Sequence, residues 1–242
     1  MTSVQQHYDR HLGPVYVWMA GGIEPAFERG AAELDAIGAH PSNGGLAVDL
    51  GAGFGMHAIP LARRGFDVVA IDSSAVMLDE LSRRAGSLPV RAIRDDLLSF
   101  PQYLSLRPEL VLCMGDTLVH LPDEKYVARL IATVRESLGE GGRFVVTIRD
   151  YSTPLTGEQR FIPVRSDENR VFVCFLEYTD TRVRVNDILH EREGSQWKMS
   201  VSAYDKLRIR PEWLDDLLRR SGFAVTLDVN VSGMVRFVAL RT

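Results

Sequence analysis

The sequence predicts an α/β protein: a doubly wound, mostly parallel sheet with an antiparallel β layer inserted after the fifth strand. Three observations carry this prediction. Short apolar runs alternate with amphipathic stretches from residue 46 to residue 150, the order that builds a parallel sheet from βαβ units. Between about 155 and 208 the pattern turns to Val-, Phe-, Tyr- and Thr-rich runs separated by polar turns. An amphipathic stretch and two further apolar runs then follow.

Taken in order, residues 1–20 mix Tyr8, Tyr16 and Trp18 with Arg10 and His11. Residues 23–38 set apolar side chains at helical spacing and run into Gly38, which predicts a helix and its stop. Residues 41–45 form a turn cluster, and 46–50 (LAVDL) a short buried strand. A helix is predicted at 56–64, with Pro60 in its first turn and Gly65 just beyond. Then come a strand at 67–72, a helix at 73–86 capped by Ser73 or Ser74, and strands at 89–96 and 110–115. An amphipathic helix at 123–138 precedes a strand at 141–150, behind a glycine turn. The inserted layer reads as three or four antiparallel strands, drawn from the runs 161–165, 170–179, 182–193 and 197–208. A helix at 211–222 leads into runs 223–229 and 235–241, read as an antiparallel hairpin at the sheet edge. The whole, 1–242, reads as one domain, with an N-terminal helical cap (1–45) and the insertion as a lid or a dimerisation surface.

Composition narrows the function. Of 242 residues, 45% are apolar and 25% charged, which is ordinary for a globular chain and excludes a disordered or collagen-like one. With 28 basic and 32 acidic residues the net charge is −4, so no basic surplus draws the protein to a phosphate backbone. Cys113 and Cys174 sit in apolar runs without a CxxC partner and read as small buried hydrophobes. Polar residues interrupt the first 20 positions, so no signal peptide is expected, and a cytoplasmic location is.

The strongest local signal is LAVDLGAGFGMHAI (46–59): a strand, then Gly51-x-Gly53-x-Gly55, then a helix. Glycines bring a ligand close to bare backbone, and the helix start offers unpaired N–H groups. Asp72 ends the next strand, 17 residues after Gly55. An acid at that strand tip takes both hydroxyls of a ribose, so the unit predicts an adenosine-bearing ligand. A dinucleotide fingerprint needs GxGxxG, whereas Met56 follows Gly55 here. Asp49 also puts a carboxylate near the turn, which repels pyrophosphate and suits an ammonium.

These strings carry a resemblance. DLGAGFG with AIDSSAVML is similar to the first two motifs of the class I S-adenosylmethionine-dependent methyltransferases. Asp95-Asp96 after the third strand, CMGDTLVHL (113–121) after the fourth, and EGGRFVV before the fifth continue it. GDTLVHL and RDY (149–151) resemble the glycine and sarcosine N-methyltransferase branch. The resemblance implies a seven-stranded Rossmann-like sheet and S-adenosylmethionine as cofactor. It implies that Asp49 and the backbone of Gly51, Ala52, Gly53 and Gly55 hold the methionine moiety. Asp72 is implied for the ribose, and Met77 with Ser73 for the adenine face. Asp95 or Asp96, beside Leu97, is implied for the adenine amino group. Met114, Gly115 and Leu118 border the site of transfer, and Tyr8, Tyr16 and Trp18 cover it. GDTL stands where methylases of nucleobase amino groups resemble one another in an (Asp/Asn)-Pro-Pro-aromatic string, which favours a small-molecule acceptor.

Methyl transfer from a sulfonium needs an aligned lone pair and no metal. Ligands sit outside the carboxyl ends of such a sheet, so Asp116, His120, Arg149 and Tyr151 become the acceptor-side candidates. His120 is read as a general base or as a structural hydrogen bond, and Arg149 as a carboxylate clamp or as a surface ion pair. In the insertion, Arg160, Arg165, Arg170, Arg182, Arg184 and Arg192 are expected on the solvent face, with Tyr178, His190, Tyr204 and Lys206 as polar candidates. Two rivals stay open: an NAD(P)-dependent oxidoreductase, and a methyltransferase-like protein that binds cofactor without catalysis. A homodimer is also possible.

Overall fold

Strand β1 (Leu46–Leu50) is buried at every residue and forms the centre of the architecture. In the computed structural model, which describes residues 3–42, 45–231 and 233–242, it pairs in parallel with β2 (Asp67–Asp72) and β4 (Leu110–Cys113). β3 (Val90–Arg94) extends the sheet beyond β2, and β5 (Arg143–Ile148) extends it beyond β4. β10 (Phe223–Val231) and β11 (Met234–Arg241) complete it as an antiparallel edge hairpin, with β11 against β5. The order β10-β11-β5-β4-β1-β2-β3 reverses direction between β1 and β4. The carboxyl ends of those two strands therefore diverge into a crevice, where such sheets bind ligands.

Alternation along β1 assigns its faces. Leu46, Val48 and Leu50 join one apolar layer with helices α6 (Glu124–Ser137) and α7 (Pro211–Arg220). Ala47 joins the opposite layer with α3 (Ile23–Ala36), α4 (Ala58–Arg63) and α5 (Ala75–Ala85). Asp49, two residues on from Ala47, faces that same layer. Caps follow sequence chemistry: Ser74 accepts from the Met77 N–H, and Asp123 from the N–H groups of Lys125 and Tyr126. Pro60 lies in the first turn of α4, where its missing N–H is harmless. β4 ends at Cys113, two residues before the predicted end, because Gly115 and Asp116 take left-handed φ values of 69° and 68° and turn the chain. The turn expected at 41–45 falls partly outside the described residues.

Residues 161–207 make a separate antiparallel sheet, β6 (Phe161–Ser166), β7 (Arg170–Tyr178), β8 (Arg182–Glu193) and β9 (Gln196–Leu207), in that order. Its inner face, with Phe172 and Leu189, packs on Leu12 and Val15 of the N-terminal segment. Its outer face differs from the charged one expected. Trp197, Met199 and Val201 alternate along β9 and are 50%, 60% and 53% exposed. Several arginines turn to local partners instead: Arg160 lies over Phe175, and Arg165 and Arg170 flank Trp18.

The N-terminal segment is helical: α1 (Val4–His7), a π-helical stretch Tyr8–Leu12, and α2 (Gly13–Met19). Pro14 cannot donate back along the helix, and the widened turn before it absorbs the mismatch. Both cysteines are free; Cys113 is buried, but Cys174 is only half-buried and donates from Sγ to Asp187 Oδ1 at 2.9 Å. No described helix is long and apolar enough to cross a membrane.

Phe144, fully buried between the central sheet and Phe223, tests the core. Phe144→Ala should lower the unfolding free energy by about 3–5 kcal/mol, read from urea denaturation curves.

Candidate functional site

The glycine turn connects β1 to α4 and is shaped by contact as much as by backbone freedom. At Gly51 (φ 75°) a Cβ would stand 2.4 Å from Thr117 Cγ2, so glycine alone lets the loop after β4 close over the turn. At Gly53 (φ 54°) a Cβ would meet Met77 Cε at 3.2 Å. Asp72, at the end of β2, fastens the far side. Its Oδ2 accepts from the Gly53 N–H at 2.9 Å and its Oδ1 from the Ser74 N–H at 2.8 Å. Burial raises the Asp72 pKa, and the Ser74 and Gly53 N–H groups oppose that rise.

These elements surround a cavity of about 310 Å³. Gly51, Ala52, Gly53, Asp72, Ser73, Met77, Asp95, Asp96, Leu97, Met114, Gly115 and His120 line it, with Tyr8 and Tyr16 from the N-terminal segment. Most of the residues singled out from the sequence thus converge on one space. Thr117, expected in the acceptor loop, lines it too, whereas Val4, Phe54, Met56, His57, Leu121 and Pro122 share that wall and were not foreseen. His57 lies two residues past the last glycine of the turn, which was a usable signal; Val4 and Pro122 offered none.

The other candidates lie elsewhere. Asp49 sits beneath the turn, 2% exposed, and Gly55 packs against Ile59 and Leu81. Leu118 is fully buried in the core. Trp18 is turned away: its Nε1 donates to Asp167 Oδ2 at 2.5 Å, between Arg165 and Arg170. Asp116 is committed, accepting from the Arg149 N–H at 2.8 Å and from Lys206 Nζ at 2.7 Å. Burial alone would pull the Lys206 pKa down, and the Asp116 carboxylate more than reverses it. The Arg149 side chain is exposed beside Gly233. Tyr151 is buried with Leu176, Val183 and Tyr204, and burial pushes its phenol up to about 12.

Between Asp95 and Asp96 the hydrogen bonds discriminate. Asp95 accepts from Tyr103 Oη at 2.5 Å, Gln102 Nε2 at 2.9 Å and the Asp96 N–H at 2.7 Å. Asp96 accepts through Oδ1 from the Leu98 N–H, capping the 3₁₀ turn Leu97–Tyr103.

His120, at the end of the 3₁₀ turn Leu118–His120, has a buried Nδ1 with no partner among the described residues. Its ring lies 5.8 Å from Tyr8 and 5.5 Å from Tyr204. Burial, and then the Lys206 charge, hold its pKa well below the ordinary histidine value, so the imidazole is neutral at pH 7. A larger surface groove of about 690 Å³ runs past Asp123 and Arg208. Its Arg208 is spent on the carbonyls of Tyr151, Ser152 and Thr179, and Arg182 on that of Pro122.

Comparison with known proteins agrees with this geometry. Residues 47–142 match the family model described as a methyltransferase domain. This stretch resembles a methyltransferase domain. It contains the glycine turn, Asp72, Asp95-Asp96 and the loop carrying His120. A glycine/sarcosine N-methyltransferase from Halorhodospira halochloris is 30% identical over 107 residues, 43% of this chain and 40% of the relative. The chain thus matches about two fifths of the length of such curated relatives. An S-adenosylmethionine-dependent methyltransferase from Clostridium acetobutylicum superposes with a TM-score of 0.74 at 15% identity, covering 97% of this chain and 98% of that one. CalS10, a SAM-bound amino pentose methyltransferase from Micromonospora echinaspora, gives 0.73 at 18% identity, covering 95% and 96%. The fold is that of the Rossmann-like methyltransferase structures.

Within residues 47–142 Asp49 is the strained charge. Burial raises its pKa from 3.8 to about 6, and His57 partly opposes this. The folded state therefore binds the proton more tightly than the unfolded chain, and stability falls as pH rises from about 4 to about 6. Asp49→Asn removes that loss. It should stabilise the ligand-free protein at pH 7 by up to about 3 kcal/mol and flatten the acid limb of its melting-temperature profile.

Proposed function

We propose that this chain is an S-adenosylmethionine-dependent methyltransferase that transfers a methyl group to nitrogen or oxygen of a small molecule. The observation that carries the proposal is the pair of carboxylates on adjacent strands at the glycine turn. Asp72 is offered at the cavity wall, and Asp49 lies buried below with Oδ2 unpartnered. One suits ribose hydroxyls and the other an ammonium, the two ends of this cofactor. The glycine turn gives backbone contact without side chains between them. The residues present thus fit the group.

When bound, S-adenosylmethionine supplies the electrophilic methyl on its sulfonium. The chain's own residues supply holding, orientation and dryness. Met77, with Ser73 beside it, lines the adenine side. Asp96 is the better acceptor for an adenine amino group, because three donors already occupy Asp95. Tyr8 and Tyr16 wall the cavity from the N-terminal segment.

At the acceptor end, Val4, Tyr8, Leu121 and Pro122 surround His120 with apolar and aromatic surface. Such surroundings favour an uncharged amine over an ammonium, and only the uncharged form has the lone pair. His120 Nδ1, neutral and without a partner among the described residues, accepts a hydrogen bond from the acceptor's N–H or O–H and so orients its lone pair toward the methyl. Asp116 acts at one remove, tying the loop after β4 to the Arg149 backbone and to Lys206. Relatives named for glycine and sarcosine, and the amino pentose enzyme, support nitrogen as the first acceptor to try.

Calorimetry with S-adenosylhomocysteine tests the reading, with NADH as control; heat from NADH alone would overturn it. Asp72→Ala should weaken S-adenosylhomocysteine by about 2–3 kcal/mol, the scale of charge-assisted hydrogen bonds lost. With an acceptor found by screening amines and hydroxyl compounds, His120→Ala should lower turnover while leaving cofactor affinity within about twofold. An equal loss in both would assign His120 a structural role.

A further inference from the structure

Behind the glycine turn a buried ion pair joins α3 to the cavity wall. His57 Nε2 lies 2.7 Å from Glu33 Oε2, and the side chains are 9% and 20% exposed. Packing creates the pair. At Gly30 a Cβ would stand 2.0 Å from the Met56 carbonyl oxygen, so only glycine lets α3 approach the turn this closely. Glu33 follows on the same face of α3, three residues later. His57 follows Met56 and stands at the N-cap of α4, with no side-chain capping bond of its own. It is therefore available to face the cavity, whose wall it shares with Gly51, Ala52 and Gly53.

Asp49 completes the arrangement. It faces the same layer as α3 and α4, accepts from the Ala58 backbone N–H, and keeps Oδ2 buried without a partner. A buried carboxylate oxygen with nothing to accept from is a vacancy for a donor.

Resting on the cofactor reading above, in which Asp49 already answers the ammonium, we propose that His57 and Glu33 form the recognition site for the carboxylate of the cofactor's amino-acid end. Asp49 Oδ2 receives the ammonium, and His57, held by Glu33, presents a cation to the carboxylate. The charges support this division. Burial alone would strip the His57 proton, but the hydrogen bond to Glu33, and then the Asp49 charge, raise its pKa above the ordinary value. The charged groups acting on this cluster are Glu33 from α3, Asp49 from β1 and Asp72 from β2, all acids against one imidazolium. An ammonium meets that imbalance. A ligand lacking the amino-acid end leaves both Asp49 and His57 unanswered.

Two nucleosides separate recognition from mere support of the turn. S-adenosylhomocysteine carries the amino-acid end; 5′-methylthioadenosine keeps the adenosine and sulfur without it. Both are titrated calorimetrically into the wild-type chain, His57→Asn and Glu33→Gln at pH 7. The variants should lose about tenfold or more in S-adenosylhomocysteine affinity, the worth of a charge-assisted hydrogen bond. Their affinity for 5′-methylthioadenosine should stay within about twofold, which also reports a folded turn. The wild-type preference for S-adenosylhomocysteine should shrink as pH rises through the raised His57 pKa, and in Glu33→Gln this should begin at lower pH. Parallel loss of both nucleosides, or no loss of either, would overturn the assignment while leaving the cofactor reading intact. A wild-type chain that binds neither would overturn both.

Discussion

The site depends on keeping two carboxylates, Asp49 and Asp72, under a turn from which water is largely excluded. Both are pushed toward the protonated form by burial. A charge in that position is costly unless its oxygens are met by donors. Asp72 solves the problem internally, through the Gly53 and Ser74 N–H groups, and so ties the glycine turn to the start of α5. Asp49 solves it only in part. One donor comes from Ala58, a nearby positive charge from His57, and one oxygen is left over. Burial of this carboxylate therefore costs stability.

The space above the turn is closed by segments from distant parts of the sequence. The N-terminal helices are fastened on both sides. Ser74 Oγ donates to Asp9 Oδ1 at 2.6 Å on the α5 side. On the side of the inserted sheet, the buried His7 sits 2.9 Å from Asp187 Oδ2 and 2.8 Å from Ser202 Oγ. Tyr8, the next residue, is thereby held over the cavity against His120 and Tyr204. The π-helical stretch Tyr8–Leu12 changes the helical phase, so that Tyr8 and Tyr16 both reach the cavity wall. The inserted sheet contributes in the same way: Lys206, from the end of β9, secures Asp116 and adds its charge to the field that keeps His120 neutral. Apolar enclosure and a neutral imidazole are mutually consistent, since the burial that excludes water also removes the proton.

By itself the sequence determined the alternation of strands and helices, the inserted antiparallel strands and the closing hairpin, because periodicity and turn residues are local properties. It also singled out Gly51, Gly53, Asp72 and the Asp95-Asp96 pair, which follow the carboxyl ends of β1, β2 and β3 and line one cavity. Only the tertiary structure decided which long-range partners meet. Glu33 reaches His57 because Gly30 lets a helix approach a turn 26 residues later, which no local pattern encodes. Trp18 turned to Asp167 and Asp116 to Lys206, because a buried or half-buried polar group takes the nearest available partner in space, whatever its distance in sequence. The chemistry of the acceptor end belongs to this second kind. Tyr8, His120 and Tyr204 come from three separate segments, and only their packing together makes a buried aromatic surface around a neutral imidazole.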